Sequence, residues 1–211
     1  MEYLNIEIMI LKTYKQLIDD MSSCEQTKGM SVLQHGQLVS EYYRDIMGHL
    51  RNGSPLKYQW RVPEWVYANK ELILDHVYDD STMARYHVHH DCGKPNCKTI
   101  DEEGKQHFPD HANVSYQIWS KLFPDDTIVA SLIKSDMDIH CLKGEQVNEF
   151  SKRKDAVSLI LTGLSEIHAN ASMFGGIEST SFKIKWKQID KRGRQVVALI
   201  PPLKRRQCLV S

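Results

Sequence analysis

Four predicted helices each place a histidine on their apolar stripe, and this pattern most limits what the chain can fold into. In the first, residues 30–50, His35 shares a face with apolar residues at three- and four-residue steps, namely Val32, Val39, Tyr43, Ile46 and Leu50. The later helices carry His111, His140 and His168 at inward positions. One such histidine fits an ordinary core, but every buried imidazole needs a partner, and one metal centre would serve all four. The sequence therefore predicts a mainly α fold around a metal site.

The segment 86–95, Tyr-His-Val-His-His-Asp-Cys-Gly-Lys-Pro, concentrates groups that bind metals. His90 offers an imidazole nitrogen, and Asp91 offers two carboxylate oxygens that can bridge two ions. Gly93 allows a sharp turn after this pair, and Lys94 places a cation where a phosphate oxygen could lie. An exposed histidine-rich helix end is the alternative. Because histidine-rich tracts often mark metal sites, we predict a metal site here.

The overall composition argues against a disordered chain, a protein that binds nucleic acid over its whole surface, and a membrane-spanning protein. A chain of 211 residues with 41% hydrophobic and 26% charged residues is typical of a globular protein with a core. The formal net charge of zero argues against capture of nucleic acid by the whole surface, although a local basic patch stays possible. We expect a cytoplasmic protein with no transmembrane segment, since no apolar run is long enough and the start lacks a signal peptide's basic region.

Apolar and basic residues alternate between residues 182 and 187. A period of two predicts a strand with one apolar and one basic face, and a turn at 190–194 would lead into a returning strand at 195–200. We therefore predict a basic β-hairpin within residues 177–211. Three lysines form its basic face: Lys183, Lys185 and Lys187. This face would hold the phosphates of a nucleic acid, or else it is a solvated face that protects a sheet edge.

Together these motifs resemble those of the HD-domain superfamily of metal-dependent phosphohydrolases. His35, in Gln-His-Gly-Gln-Leu-Val, is similar to the family's first ligand, and the pair His90 and Asp91 is similar to its signature. His111 and His140 are similar to the extra ligands of members that hold two metals. The resemblance implies a helical bundle whose metal is held by histidine and aspartate.

The resemblance also implies an arrangement of domains. It covers about residues 29–172, which we expect to form the HD-like domain. Residues 1–28 would be an N-terminal helix and loop, and residues 51–80 would be an insertion. The basic hairpin lies outside the resemblance.

The family's final aspartate falls on His168, in Leu-Ser-Glu-Ile-His-Ala. Either His168 serves as the ligand in its place, or Glu166 takes that role. A neutral imidazole suits Mn, Fe, Co, Ni or Zn better than Mg. The resemblance therefore implies one or two divalent transition-metal ions, with ligands drawn from His35, His90, Asp91, His111, His140 and His168.

The activity that the resemblance implies is hydrolysis of a phosphate ester of a nucleotide or oligonucleotide. Asp91 would anchor the metal, and Lys94 would stabilise negative charge on phosphate. Asp136 or Asp138 would orient or deprotonate water, or would hydrogen-bond a ligand histidine. Two alternatives stay open. Some members hold two irons and are oxygenases, and a histidine-rich site suits iron too. A structural metal beside a surface that binds nucleic acid or a protein would be the non-catalytic alternative.

Overall fold

Helices dominate the computed structural model, which describes residues 13–201. The mainly α prediction is confirmed. The α-helices are α1 (Tyr14–Ser23), α2 (Val32–Asn52), α3 (Glu64–Ala68), α4 (Lys70–His76), α5 (Asp80–His89), α6 (Lys94–Cys97), α7 (His111–Leu122), α8 (Thr127–Lys134), α9 (Asp138–Cys141), α10 (Val147–Ser151), α11 (Ala156–Ala169) and α12 (Thr180–Val197). None of the described helices combines the length and apolarity that crossing a bilayer requires.

The strands are short and pair as two antiparallel hairpins. In the first, β1 (Glu25–Thr27) pairs with β2 (Met30–Ser31). In the second, β3 (Thr99–Ile100) pairs with β4 (Gln106–His107). Single 3₁₀ turns occupy Gly144–Gln146 and Ala171–Phe174.

The described residues form two compact units, each assembled from two stretches of chain. The first unit comprises residues 13–41 and 79–137, and the second comprises residues 42–78 and 138–201. Helix α2 contributes to both. The domain limits implied by the family resemblance stay a prediction.

The helix predicted around His35 is confirmed as α2. Ser31 and Gln34 begin it with reciprocal bonds, because the Gln34 amide donates to Ser31 Oγ and the Ser31 amide donates to Gln34 Oε1. The stripe predicted for this helix is buried throughout: Val32, His35, Val39, Tyr43, Ile46 and Leu50. The 3.6-residue period therefore identified the inward face of α2 correctly.

Helix α5 begins at a side-chain cap, Asp79. The Asp79 carboxylate accepts hydrogen bonds from the Thr82 amide at 3.0 Å and from the Thr82 hydroxyl at 2.7 Å. The helix ends at His89, so His90 and Asp91 lie at its C-terminal end.

Asp136 and His140 are four residues apart in sequence but do not share one helix. Helix α8 ends at Lys134, and α9 begins afresh at Asp138. Ser135 closes α8, where its amide donates to carbonyls of the last turn. Serine and aspartate side chains compete for backbone groups and favour such breaks. Asp136 consequently belongs to the first unit and His140 to the second.

The prediction of a C-terminal hairpin is wrong, since its first strand, its turn and the first three residues of its second strand lie in the single helix α12. Ser179 begins this helix by accepting a hydrogen bond from the Phe182 amide. One face of α12 is buried along the helix, and its buried residues are Phe182, Ile189, Gly193, Val196 and Val197. Gly193, assigned to a turn, is instead a contact point, because a Cβ there would lie 2.3 Å from Trp65 Cζ2.

The helix separates the three lysines that were predicted to share a face. Lys183 and Lys187 lie one turn apart, whereas Lys185 points about 160–200° away from them. Lys183 pairs with Glu178 at 2.7 Å, and the Lys185 ammonium lies 5.2 Å from the centre of the Phe174 ring. The predicted phosphate site of Lys183, Lys185 and Lys187 therefore does not exist as one face.

Candidate metal centre

Three of the predicted metal ligands meet in the first unit. His35, His90 and Asp91 are each at most 2% exposed, and one ligand atom from each lies within 4.8 Å of the others. Nε2 of His90 is 3.2 Å from Asp91 Oδ2, and Nε2 of His35 is 3.7 Å from the same oxygen. The group could hold a divalent metal ion, as the sequence predicts.

The backbones of α2 and α5 touch beside this group. A Cβ at Gly36 would lie 2.3 Å from the carbonyl oxygen of Val88, and backbone cannot move aside as a side chain can. Only glycine permits this approach. It brings His35, the preceding residue, to the end of α5 that carries His90 and Asp91.

Backbone carbonyls orient two of the imidazoles. Nδ1 of His90 donates to the His87 carbonyl at 2.7 Å, and Nδ1 of His111 donates to the Phe108 carbonyl at 3.0 Å. Each bond places the proton on Nδ1 and leaves Nε2 as the ligand atom. Nε2 of His111 lies 3.6 Å from Asp91 Oδ1, so the two carboxylate oxygens face different histidines.

Asp91 is a deprotonated carboxylate despite its burial. Burial alone would raise its pKa, but His90, Lys94 and His35 together hold the pKa well below its usual range. No residue between 13 and 201 donates a hydrogen bond to Asp91 Oδ1. A buried acceptor without a donor is costly, and a cation bound there would remove that cost. The donor set therefore fits a divalent ion.

Lys94 is a second buried charge at the centre. It is 8% exposed, and its ammonium donates to Asp91 Oδ2 at 2.6 Å and to Gln26 Oε1 at 3.0 Å. The Phe108 ring centre lies 5.3 Å away. Gln26 was not among the predicted site residues, because it is 68 positions from Lys94 and nothing in its local sequence marks it.

The chain turns at residues 90–93 as predicted, but this turn does not require a glycine at position 93. The φ of −85° at Gly93 is open to any residue. A Cβ there would instead lie 2.4 Å from the Ser115 amide nitrogen, and the Gly93 amide donates to Ser115 Oγ at 2.8 Å. This contact holds α7, and with it His111, against the segment that carries Asp91.

Asp136, the predicted catalytic carboxylate, accepts a hydrogen bond from the Tyr86 hydroxyl at 2.6 Å. It is buried, and the Tyr86 ring centre lies 6.4 Å from that of His90. Asp136 thus connects to the centre through Tyr86, and its role in handling water stays a prediction.

The other two predicted ligands lie in the second unit. Nε2 of His140 is 2.8 Å from Glu166 Oε2, so His140 and Glu166 form a pair. His168 donates from Nδ1 to the Leu164 carbonyl at 2.7 Å, and its Nε2 accepts from the Arg61 amide at 3.0 Å. As placed, His168 offers no nitrogen lone pair to a metal. The Arg61 amide comes from a distant loop, which no local pattern could reveal.

His168 should make the protein acid-sensitive. Burial lowers its pKa from 6.5 to about 4, so between these values the unfolded chain binds a proton that the folded protein excludes. Stability is therefore complete above pH 6.5 and falls as the pH drops towards 4. We expect His168 to contribute about 3 kcal/mol to this loss in the free energy of unfolding.

Urea unfolding of the wild type and His168→Gln at pH 7, 5 and 4 would measure this effect. The variant should be less stable at pH 7 but should lose less stability on acidification. Parallel pH profiles for the two proteins would contradict the assignment of this acid sensitivity to His168.

Comparison of the chain with protein-family models, with curated proteins and with solved structures gave no match.

Proposed function

We propose that the first unit is a divalent-metal-dependent hydrolase of phosphate esters, of the kind that acts on nucleotides. The observation that carries the proposal is the buried carboxylate of Asp91, whose Oδ2 faces His35 and His90 while Oδ1 has no donor among residues 13–201. His35, His90 and Asp91 would hold the ion, and His111 lies on the Oδ1 side. A bound divalent ion would polarise a phosphoryl oxygen and lower the pKa of water.

Lys94 supports a phosphate ester as the substrate. An ammonium group has three N–H donors, and Asp91 and Gln26 accept two of them. The third donor is directed to neither of these acceptors, so a phosphoryl oxygen could accept it. The resulting charge-assisted hydrogen bond would strengthen as negative charge develops on that oxygen.

Asp91→Asn tests the proposal because the amide keeps the size of the side chain and removes its charge. After loading with manganese and dialysis, we expect about one metal equivalent in the wild type and its loss in the variant. Hydrolysis of p-nitrophenyl phosphate, bis-p-nitrophenyl phosphate and nucleoside monophosphates should fall by more than about 100-fold. Elemental analysis and product release measure the two effects.

Asp101→Asn is the matched control. This aspartate lies in the same unit on the exposed β3–β4 hairpin and pairs with His107 at 2.6 Å. It should leave metal content and turnover unchanged. Metal and activity that survive in Asp91→Asn, or a metal-loaded wild type that hydrolyses none of these esters, would refute the proposal.

A further inference from the structure

Helix α12 concentrates positive charge in a chain whose formal net charge is zero. It contains six lysine or arginine residues and a single aspartate. Two of these six side chains form ion pairs, Lys183 with Glu178 and Arg194 with Asp190. Lys187 and Lys191 are exposed, and neither has an ion-pair partner within residues 13–201.

These cations follow one edge of the helix. Lys187 and Lys191 are four residues apart and Arg194 is three further on, so they succeed one another along the same side. The Arg194 side chain is 67% exposed even though it contacts Asp190. A row of flexible cations at successive helical turns matches a chain of phosphates better than it matches one isolated anion.

A cavity of about 610 Å³ opens in the same unit, between α12 and the segment that leads into α3. Trp186, Arg61 and Arg194 line it, so it meets the row of cations at Arg194. The Trp186 indole donates to the Arg61 carbonyl at 2.6 Å, and the Arg61 guanidinium lies 4.9 Å from the ring centre. These contacts fix the orientation of the aromatic ring.

The walls of the cavity suit a nucleobase. An indole and a guanidinium plane are surfaces on which bases stack. Glu64 and Asp190 also line the cavity and supply acceptors for the amino groups of a base. A membrane surface fits less well, because Ile184 is the one large apolar side chain exposed between Thr180 and Val197, and an interfacial helix needs an apolar face.

We propose that the second unit binds single-stranded nucleic acid, with phosphates along Lys187, Lys191 and Arg194 and a base in the cavity beside Trp186. The residues of this site belong to the second unit, whereas those of the metal centre belong to the first. The site differs from the predicted hairpin face, since Lys183 pairs with Glu178 and Lys185 points away from Lys187.

Fluorescence anisotropy with a labelled oligothymidylate of about twelve nucleotides tests the site. EDTA in the buffer separates binding from any metal-dependent turnover. Lys187→Gln/Lys191→Gln should weaken binding about tenfold at low salt. It should also reduce the slope of log affinity against log salt by about 1.4, since each phosphate contact to a single strand contributes about 0.7. An abasic oligomer of equal length should bind the wild type about tenfold more weakly.

Lys143→Gln/Lys152→Gln is the control, because it removes two exposed lysines of the same unit that do not belong to α12. It should bind like the wild type. The proposal fails if the wild type does not bind the oligomer, or if both double variants weaken binding equally. It also fails if the protein binds anionic phospholipid vesicles and no oligonucleotide. Equal binding of the abasic oligomer would overturn the base-binding cavity.

Discussion

Gly36→Ala is expected to destabilise the protein by about 3 kcal/mol, near the upper end for overpacked cores. The new Cβ would lie 2.3 Å from the Val88 carbonyl oxygen and 2.8 Å from that of His87. Both obstacles are α5 backbone, so α2 and α5 must separate. Because His35 is adjacent to Gly36 and His90 follows α5, the same displacement should weaken metal binding. Urea unfolding and manganese titration would measure the two effects.

Gly48→Ala is the control for this prediction, because Gly48 lies in the same helix and a Cβ there meets nothing within 4 Å. Alanine at an open helical position should stabilise the protein by about 0.5–1 kcal/mol. If Gly36→Ala lowers the free energy of unfolding and Gly48→Ala raises it, the loss at Gly36 comes from the interhelical contact and not from helix propensity. If Gly36→Ala were as stable as the wild type, the close approach of α2 to α5 would be wrong.

Lys94→Met is expected to tighten metal binding at least tenfold. Without a metal, the buried charges of Lys94 and Asp91 balance, since their groups are 2.6 Å apart. A divalent ion adds two positive charges beside an ammonium that is 8% exposed. At an effective dielectric constant of about 20, repulsion between such neighbouring charges amounts to several kcal/mol. Methionine keeps most of the side-chain volume and removes the repulsion.

Isothermal titration with manganese would measure this affinity, and phosphate binding should weaken in the same variant because a donor is lost. Lys98→Met is the control, since Lys98 is exposed and belongs to the same unit. It should leave both affinities near those of the wild type. Weaker metal binding in Lys94→Met would mean that Lys94 acts mainly by orienting Asp91 rather than by opposing the ion.

The sequence alone predicted those features of the fold that depend on interactions between residues close together in the chain. The caps at Ser31 and Asp79 fix the starts of α2 and α5 within a few residues. The stripe through His35 spans five turns, which makes its period unambiguous. His90 and Asp91 are neighbours in sequence, so their proximity needed no tertiary information. These features predicted the mainly α fold. They also identified His90 and Asp91, two of the three clustered ligands, as one motif.

The features that depend on contacts between residues far apart in the chain were decided only by the tertiary structure. The alternation from Phe182 to Lys187 fits a strand over six residues. The segment forms a helix because the longer helical stripe buries one face of α12, where Gly193 packs against Trp65. His168 lies on an inward stripe as predicted, yet the Arg61 amide occupies its Nε2. Gln26 reaches Lys94 only through folding. A helical stripe determines that a side chain is buried, whereas the atom it meets depends on which other segment packs there.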